Sequence, residues 1–266
     1  MLASGICRAE SRGEVVYALD CGGPSVGSGS PSASSGPPRA KSRGGAHALV
    51  DVGSEPGLAA KLEQLEADGV DLSTIAALFI THCHEDHAGA IHRLRSGQFP
   101  RVVAHRLALE HIRHCPAYTP IDSRLVDYTV DEGDAVEIGN LVVTAHHLPG
   151  HTPDSVAWQV GENLFVGDVL RCNGSLGWMD VHWGSCLSDY RSSLYRLLTI
   201  KASHIYPGHG ECGAFTKEAV EEGMRRLELL ADADGSLLQE LGRPASRRSP
   251  ETPSKIVRLS TARPMA

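Results

Sequence analysis

Long apolar runs, clustered basic residues and paired cysteines are all missing from this sequence, and each absence narrows what the chain can be. No run approaches the length of a transmembrane helix, so no membrane partner is expected. The first ten residues lack a basic stretch followed by an apolar one, so no signal peptide is expected. Seven scattered cysteines, an odd number with no CxxC pair, do not form a disulfide framework. A reducing, cytoplasmic setting is the expectation that follows. The net charge of −7 argues against a nucleic-acid partner. Residues 242–266 carry six basic and one acidic residue, so the rest of the chain stands at −12. Aromatics are scarce, at 5% of 266 residues.

What is present is an ordinary apolar fraction, 41%, enough for one large core-forming domain. Residues 1–13 read as an N-terminal segment and 14–241 as the domain. Within it, Gly22 to Gly45 is almost entirely Gly, Ser, Pro and Ala, and reads as a flexible insertion. Residues 242–266, rich in Pro, Ser and Arg, read as a disordered tail. Strand-like runs cover Glu14 to Asp20, Ala46 to Val52, Ile75 to Ile80, Arg101 to His105, Leu125 to Val130, Ala135 to Ile138 and Leu141 to Ala145. Val156 to Val160 and Asn163 to Val166 read as a hairpin across Gly161-Glu162, and Ser203 to Tyr206 as a further strand. Helical spacing appears in Pro56 to Ala67, Leu107 to His114, Leu187 to Leu198 and Lys217 to Asp232, with a short helix on through Leu241. The alternation predicts a mixed α/β fold, two sheets covered by helices.

The densest chemistry lies in Thr81-His82-Cys83-His84-Glu85-Asp86-His87, directly after the apolar run Ile75 to Ile80 and before a helix start. Three imidazoles and two carboxylates in one strand-to-helix turn crowd charge and polar groups, and a divalent metal relieves both. Three more polar sites follow apolar strands and are flanked by glycine: His151, Asp168 and His209. Strand ends along one sheet edge can converge on one crevice. That convergence would gather His82, His84, Asp86, His87, His151, Asp168 and His209. Seven N/O ligands exceed one metal and match two sharing a carboxylate.

Four motifs carry a resemblance to the metallo-β-lactamase-fold hydrolase superfamily: Thr81 to His87 (its THxHxDH), Pro149-Gly150-His151-Thr152, Gly167-Asp168 and Pro207-Gly208-His209-Gly210. Leu49-Val50-Asp51-Val52-Gly53 resembles a fifth, and the likeness spans roughly Glu14 to Leu230. The resemblance implies a four-layer αβ/βα sandwich with its site along one edge. It also implies a ligand division: His82, His84 and His151 on one metal, Asp86, His87 and His209 on the other, and Asp168 bridging. Two divalent ions, zinc in the first instance with iron or manganese as alternatives, would make hydroxide available at neutral pH. Asp86 is the candidate catalytic residue, orienting that hydroxide or carrying a proton.

Among subfamilies, the glyoxalase II type shares all seven ligands, whereas the persulfide dioxygenases carry a Gly-Cys-Gly-Arg-Thr-Asp run that is absent here. The expected activity is therefore hydrolysis of a small acyl substrate, thioester first. The alternatives are lactone or β-lactam hydrolysis, a persulfide dioxygenase-like enzyme with one iron, and a non-catalytic binding protein. His182 and Trp183, in a loop with two tryptophans, are candidate substrate contacts. Asp51 is expected to orient ligands, and Cys83 to be an inert thiol.

Overall fold

The computed structural model describes residues 3–22, 45–95, 100–111, 115, 117–233 and 254–262. Most of the expected insertion, residues 23–44, lies outside them, as do 112–114 of the helix expected to end at His114 and the short helix expected to run through Leu241.

One sheet runs β1 (Ile6–Ser11), β2 (Glu14–Asp20), β3 (His47–Val50), β4 (Ile75–Phe79), β5 (Arg101–His105) and β6 (Tyr128–Val130), in that order. The second contains β7 (Ala135–Ile138), β8 (Leu141–His147), β9 (Val156–Val160), β10 (Asn163–Gly167), β11 (His204–Pro207), β12 (Gly213–Ala214) and β13 (Ile256–Leu259). Its order is β12-β11-β10-β9-β8-β7-β13. Helices α1 (Glu55–Ala67), α2 (Glu85–Ala88) and α3 (Ile91–Leu94) follow strands of the first sheet, and α4 (Leu187–Leu197) and α5 (Lys217–Ala233) those of the second.

Side-chain alternation along the strands produces three cores, and three cores need four layers. Between the sheets lie Val15, Tyr17 and Leu19 of β2 with Phe79, Trp158, Phe165 and Tyr206. The opposite face of β2, Val16 and Ala18, packs with Leu58 and Leu65 of α1 and Ile91 of α3. Leu164, Val166 and Ile205 pack outward on Tyr190 and Leu194 of α4 and Val220 and Leu227 of α5. The fold is thus the expected αβ/βα sandwich. The few aromatics concentrate between the sheets, where edge-on pairs such as Phe79 and Trp158, with centroids 5.1 Å apart, fill it. Trp158 Nε1–H donates to Ile80 O at 3.2 Å, and Tyr17 O–H to Pro207 O at 2.8 Å. Both bonds tie one sheet to the other at the end where the histidines gather. Among the described residues, no helix is long and apolar enough to cross a membrane.

Four local expectations are corrected. Residues 1–13 do not precede the domain: Ile6–Ser11 pairs with β2 through the turn Arg12-Gly13, both at positive φ, 59° and 83°. Within 242–266, Ile256–Leu259 adds in parallel to β7. Ion pairs hold it there, Arg258 with Glu137 at 2.6 Å and Lys255 Nζ with buried Asp134 at 3.7 Å, and the Lys255 backbone N–H also donates to Asp134 at 2.8 Å. The helix expected from Leu107 is a 3-10 turn, Arg106–Leu109, because His105 Nδ1 caps Leu107 N–H and Tyr118 O–H takes Leu107 O. The strand expected from Leu125 begins only at Tyr128, because Asp122 accepts from Arg124 N–H and winds Ser123–Leu125 into a 3-10 turn.

Behind the site a buried ion pair joins β2 to α1. Lys61 Nζ meets Glu14 Oε2, and Ser54 donates to the same carboxylate from both N–H and Oγ. Burial opposes ionisation of Glu14, but Lys61 and Ser54 outweigh it and hold its pKa below the ordinary 4.5. Lys61→Met strands this carboxylate and is expected to cost about 3–5 kcal/mol in urea unfolding. Because Glu14 is depressed when folded, its contribution is present above the unfolded value and disappears as pH falls through the folded one. The stability gap between wild type and Glu14→Gln should therefore close in acid. A gap that widened there would contradict the assignment.

Candidate metal centre

The site residues come from four chain segments that end at one edge of the sandwich. β4 delivers Thr81 and His82, His84 caps α2, and Asp86 and His87 lie within α2. His151 sits between β8 and β9, Asp168 directly follows β10, and His209 follows β11. Backbone bonds lock the segments together: Val156 N–H to Thr81 O, Gly208 N–H to Gly167 O, and Val52 N–H to His87 O, each at 2.9 Å. Two glycines are required by close approach. Gly167 has φ +53°, and a Cβ there would stand 2.6 Å from Thr81 Oγ1. A Cβ on Gly208 would stand 2.3 Å from His87 Cε1.

All seven expected ligands converge. His82 Nε2, His84 Nδ1 and His151 Nε2 form a triangle with edges of 3.1, 3.1 and 3.2 Å. Beside it, His209 Nε2 stands 3.3 Å from His87 Nε2 and 3.0 Å from Asp86 Oδ2. Asp168 spans the two groups: Oδ1 is 3.5 Å from His87 Nε2, and Oδ2 is 3.5 Å from His209 Nε2 and 3.9 Å from His151 Nε2. Three overlapping sets could hold a metal ion: His82, His84 and His151; His82, His87 and Asp168; Asp86, His87 and His209.

The surrounding hydrogen bonds decide which nitrogen of each ring is free. His87 Nδ1–H donates to Asp51 Oδ2 at 2.8 Å, His151 Nδ1–H to Trp178 O at 2.6 Å, and His209 Nδ1–H to Gly13 O at 2.7 Å. Thr81 Oγ–H donates to Asp51 Oδ2 at 2.8 Å, so it accepts from His82 Nδ1–H at 3.1 Å. Four rings therefore turn Nε2 inward. His84 is reversed, with Nδ1 inward and Nε2 buried without a hydrogen-bond partner. Converging lone pairs cannot satisfy one another. A tetrahedral ion with metal–nitrogen bonds of 2.0–2.1 Å asks for nitrogens about 3.3 Å apart, close to the triangle observed. Asp168 Oδ1 is likewise buried without a hydrogen-bond donor. The donor set fits zinc-like ions.

Electrostatically the two halves differ. Burial, reinforced by the neighbouring imidazoles, pushes His82 well down and His84 to about 3. Burial also lowers His151, against the pull of Asp168. For His87 burial acts the same way, but Asp168, Asp51 and Asp86 override it and raise the pKa to about 9. Asp86 raises His209 through their hydrogen bond, against burial. Burial opposes ionisation of Asp86 and Asp168, yet the imidazoles hold both below the usual carboxylate range.

The centre floors a cavity of about 490 Å³ lined also by Glu85, Arg171, Trp178, Asp180, Trp183 and Ser185. Trp183 packs edge-on against His84, centroids 5.1 Å apart. His182 does not line the cavity and is corrected. The 3-10 turn Val181–Trp183, capped by Asp180, has three residues per turn, so adjacent side chains diverge. His182 is exposed and its Nδ1–H donates to Asp180 at 3.0 Å. Asp51 bonds to Thr81 and His87, as an orienting residue would. Cys83 is buried in the outer core, its thiol pushed well up, chiefly by burial and then by Asp154. His105 and His147 stack on each other at 3.9 Å, away from the ligands. The loop from Arg171 to Ser185 was expected to choose the substrate, and both its ends line the cavity wall, but the Gly13 carbonyl behind His209 was missed, since a lone Gly carries no periodic or motif signal.

Fold and site together define an αβ/βα sandwich protein with a histidine–aspartate centre that could hold metal at one edge. The sequence profile of the Metallo-beta-lactamase superfamily matches residues 41–209, and the chain belongs to that superfamily. It is 29% identical over 200 residues to the Beta-lactamase-like protein 2 homolog of Drosophila melanogaster, covering 70% of this chain and 59% of the fly protein. It is 32% identical over 181 residues to the hydroxyacylglutathione hydrolase of Rhodopseudomonas palustris (strain BisB18), covering 67% of this chain and 63% of that one. The chain thus spans about three fifths of the length of these two relatives. A solved B3 metallo-beta-lactamase with an active-site glutamic acid superposes with TM-score 0.63 at 19% identity, covering 87% of this chain and 88% of the other. That likeness is one of fold.

Metal affinity should separate the two halves. The neutral trio takes up an ion without releasing protons, whereas His87 is protonated below about 9 and must lose its proton. Calorimetry in buffers of different ionisation enthalpy is expected to show proton release for one ion only, with its affinity rising about tenfold per pH unit per proton between pH 6 and 9. Asp51→Asn removes the acceptor that orients His87 and should weaken metal binding about 10- to 100-fold in a chelator competition. Unchanged affinity would remove Asp51 from the centre.

Proposed function

We propose that this chain is a metal-dependent hydrolase of a small acyl compound, thioester in the first instance, working with two divalent ions, zinc preferred. The observation that carries the reading is that Asp168 lies between two donor clusters at one cavity, 3.9 Å from His151 of one and 3.5 Å from His87 and His209 of the other. His82, His84 and His151 would hold one ion and Asp86, His87 and His209 the other, with Asp168 between them. Divalent metal in these cradles supplies Lewis acidity, so that water ionises near neutral pH and a carbonyl is polarised.

The chain's own groups arrange the rest. Asp51, Thr81, Trp178 O and Gly13 O keep the Nδ1 protons on the outer side of their rings, so that Nε2 is the nitrogen facing the centre. Asp86 is partly exposed and ionised at neutral pH, so it accepts a proton from water but has none to give at the start. A thiol leaves readily as its thiolate, with an ordinary pKa of about 8.5, and so needs no strong acid. An amine or alkoxide leaving group would need one. This asymmetry, with the likeness to a hydroxyacylglutathione hydrolase, favours a thioester.

Chelation should abolish hydrolysis of simple acyl thioesters and zinc should restore it. Asp86→Asn, at full metal content, is expected to lower kcat by about 10²- to 10⁴-fold. Metal-loaded protein inert toward thioesters, lactones, β-lactams and phosphodiesters would overturn the reading, and oxygen uptake by an iron-loaded form would replace it.

A further inference from the structure

Five consecutive residues at the end of β11 and just beyond it, Tyr206 to Gly210, are each bonded to the N-terminal hairpin or its flanks. Ala3 N–H donates to Tyr206 Oη at 3.3 Å, Tyr17 O–H to Pro207 O at 2.8 Å, and Val15 N–H to Gly208 O at 3.0 Å. His209 Nδ1–H donates to Gly13 O at 2.7 Å, and Arg8 Nη2 to Gly210 O at 3.0 Å. The hairpin belongs to the first sheet and β11 to the second, so this row of bonds closes the sandwich at the edge where the candidate ligands lie.

The segment so held has little stiffness of its own. His209 stands between Gly208 and Gly210, and glycine on both sides leaves the backbone free to turn the ring away. His82 and His151 are buried, whereas the side chains of His209 and Asp86 are 21% and 42% exposed. Packing fixes the first pair, and hydrogen bonds must fix the second. The Gly13 carbonyl is presented by a turn in which Arg12 and Gly13 both take positive φ, 59° and 83°. Tight hairpins use that conformation, and an arginine adopts it uncommonly. A Cβ on Gly13 would meet nothing within 4 Å, so the position asks for glycine by its backbone angle and not for want of space. Arg8 pairs with Glu10 at 2.5 Å, so the guanidinium that grips Gly210 O is itself held.

We propose that the N-terminal hairpin is the positioning element of the second ion. Gly13 and Arg8 are positioning residues that act through His209, and without them the chain holds one divalent ion, on His82, His84 and His151, in place of two. The consequence for metal rests on the two-ion reading, whereas the hold on the His209 ring can be measured without metal. Full-length protein would be stripped of metal and titrated with zinc against a competing chelator. Wild type should take two ions per chain and His209→Ala one. Gly13→Val puts a β-branched residue at φ 83°, and should bind the first ion as wild type does and the second about 10- to 100-fold more weakly. Gly13→Asn, which tolerates positive φ, should lose little at the second ion. Arg8→Met should weaken the second ion about tenfold, and Arg8→Lys should recover part of the loss. In metal-free protein, heteronuclear NMR should show a slowly exchanging Nδ1 proton on His209 in wild type and Gly13→Asn, and none in Gly13→Val.

Wild-type affinity for the second ion in Gly13→Val overturns the proposal, and so does an equal loss at both ions, which would assign the hairpin to the fold as a whole. Should thermal melting show that Gly13→Val does not fold, Arg8→Met decides, an unchanged second ion counting against the hairpin. One ion in wild type would overturn the two-ion reading. The Nδ1 proton then decides for the hairpin if Gly13→Val loses it and against the hairpin if it survives there.

Discussion

Asp51 holds together two halves of the centre that the chain order keeps apart. Its carboxylate accepts from Thr81 N–H and Oγ–H and from His87 Nδ1–H, each at 2.8 Å. Through Thr81 it also settles the proton on His82 Nδ1. One buried anion thus fixes the inward face of one ring in each half. It can do so because β3 and β4 lie side by side in parallel, and because Asp51 turns sharply at φ 59° off the end of β3. A left-handed residue without a glycine's freedom is uncommon, and here the long-range hydrogen bonds that its side chain accepts from Thr81 and His87 compensate. The rest of the site is built onto this corner, with Gly167 packed on Thr81 and Val156 bonded to Thr81 O.

Gathering this many polar groups at one edge is costly for a fold. The sandwich manages it by dividing them. Burial and mutual repulsion push the trio of His82, His84 and His151 toward the neutral form, whereas the carboxylates beside His87 and His209 raise their pKa values and favour the protonated form. The second half thus sets imidazoles against carboxylates, and the first presents lone pairs that nothing among the described residues satisfies. The centre is thus poised for cations, and the buried Asp168 oxygen points the same way.

Legibility in the sequence followed signal density. The seven candidate ligands could be picked out because six potential ligands crowd one heptapeptide and because each remaining one sits beside a glycine that its packing demands. Long elements such as α1, α4 and α5 were readable from helical spacing. Short ones were not. Ile256–Leu259 is four residues in a Pro- and Ser-rich context, and becomes a strand only because β7 offers an open edge and Asp134 and Glu137 offer charge partners. Arg106–Leu109 carried a helical pattern, but a capping histidine and a tyrosine hydroxyl took the backbone groups that an α-helix would have used. His182 and Trp183 were adjacent and equally suggestive, and a single tight turn sent one to the cavity and left the other in solvent.

The sequence alone pointed to seven candidate ligands and to the layered fold, because residue type, glycine placement and strand periodicity are local properties of the chain. Tertiary structure alone decided which nitrogen of each imidazole faces inward, since that depends on acceptors as distant as Gly13 and Trp178. It also decided the protonation contrast between the two halves, since a pKa is set by burial and by charges that meet only in space.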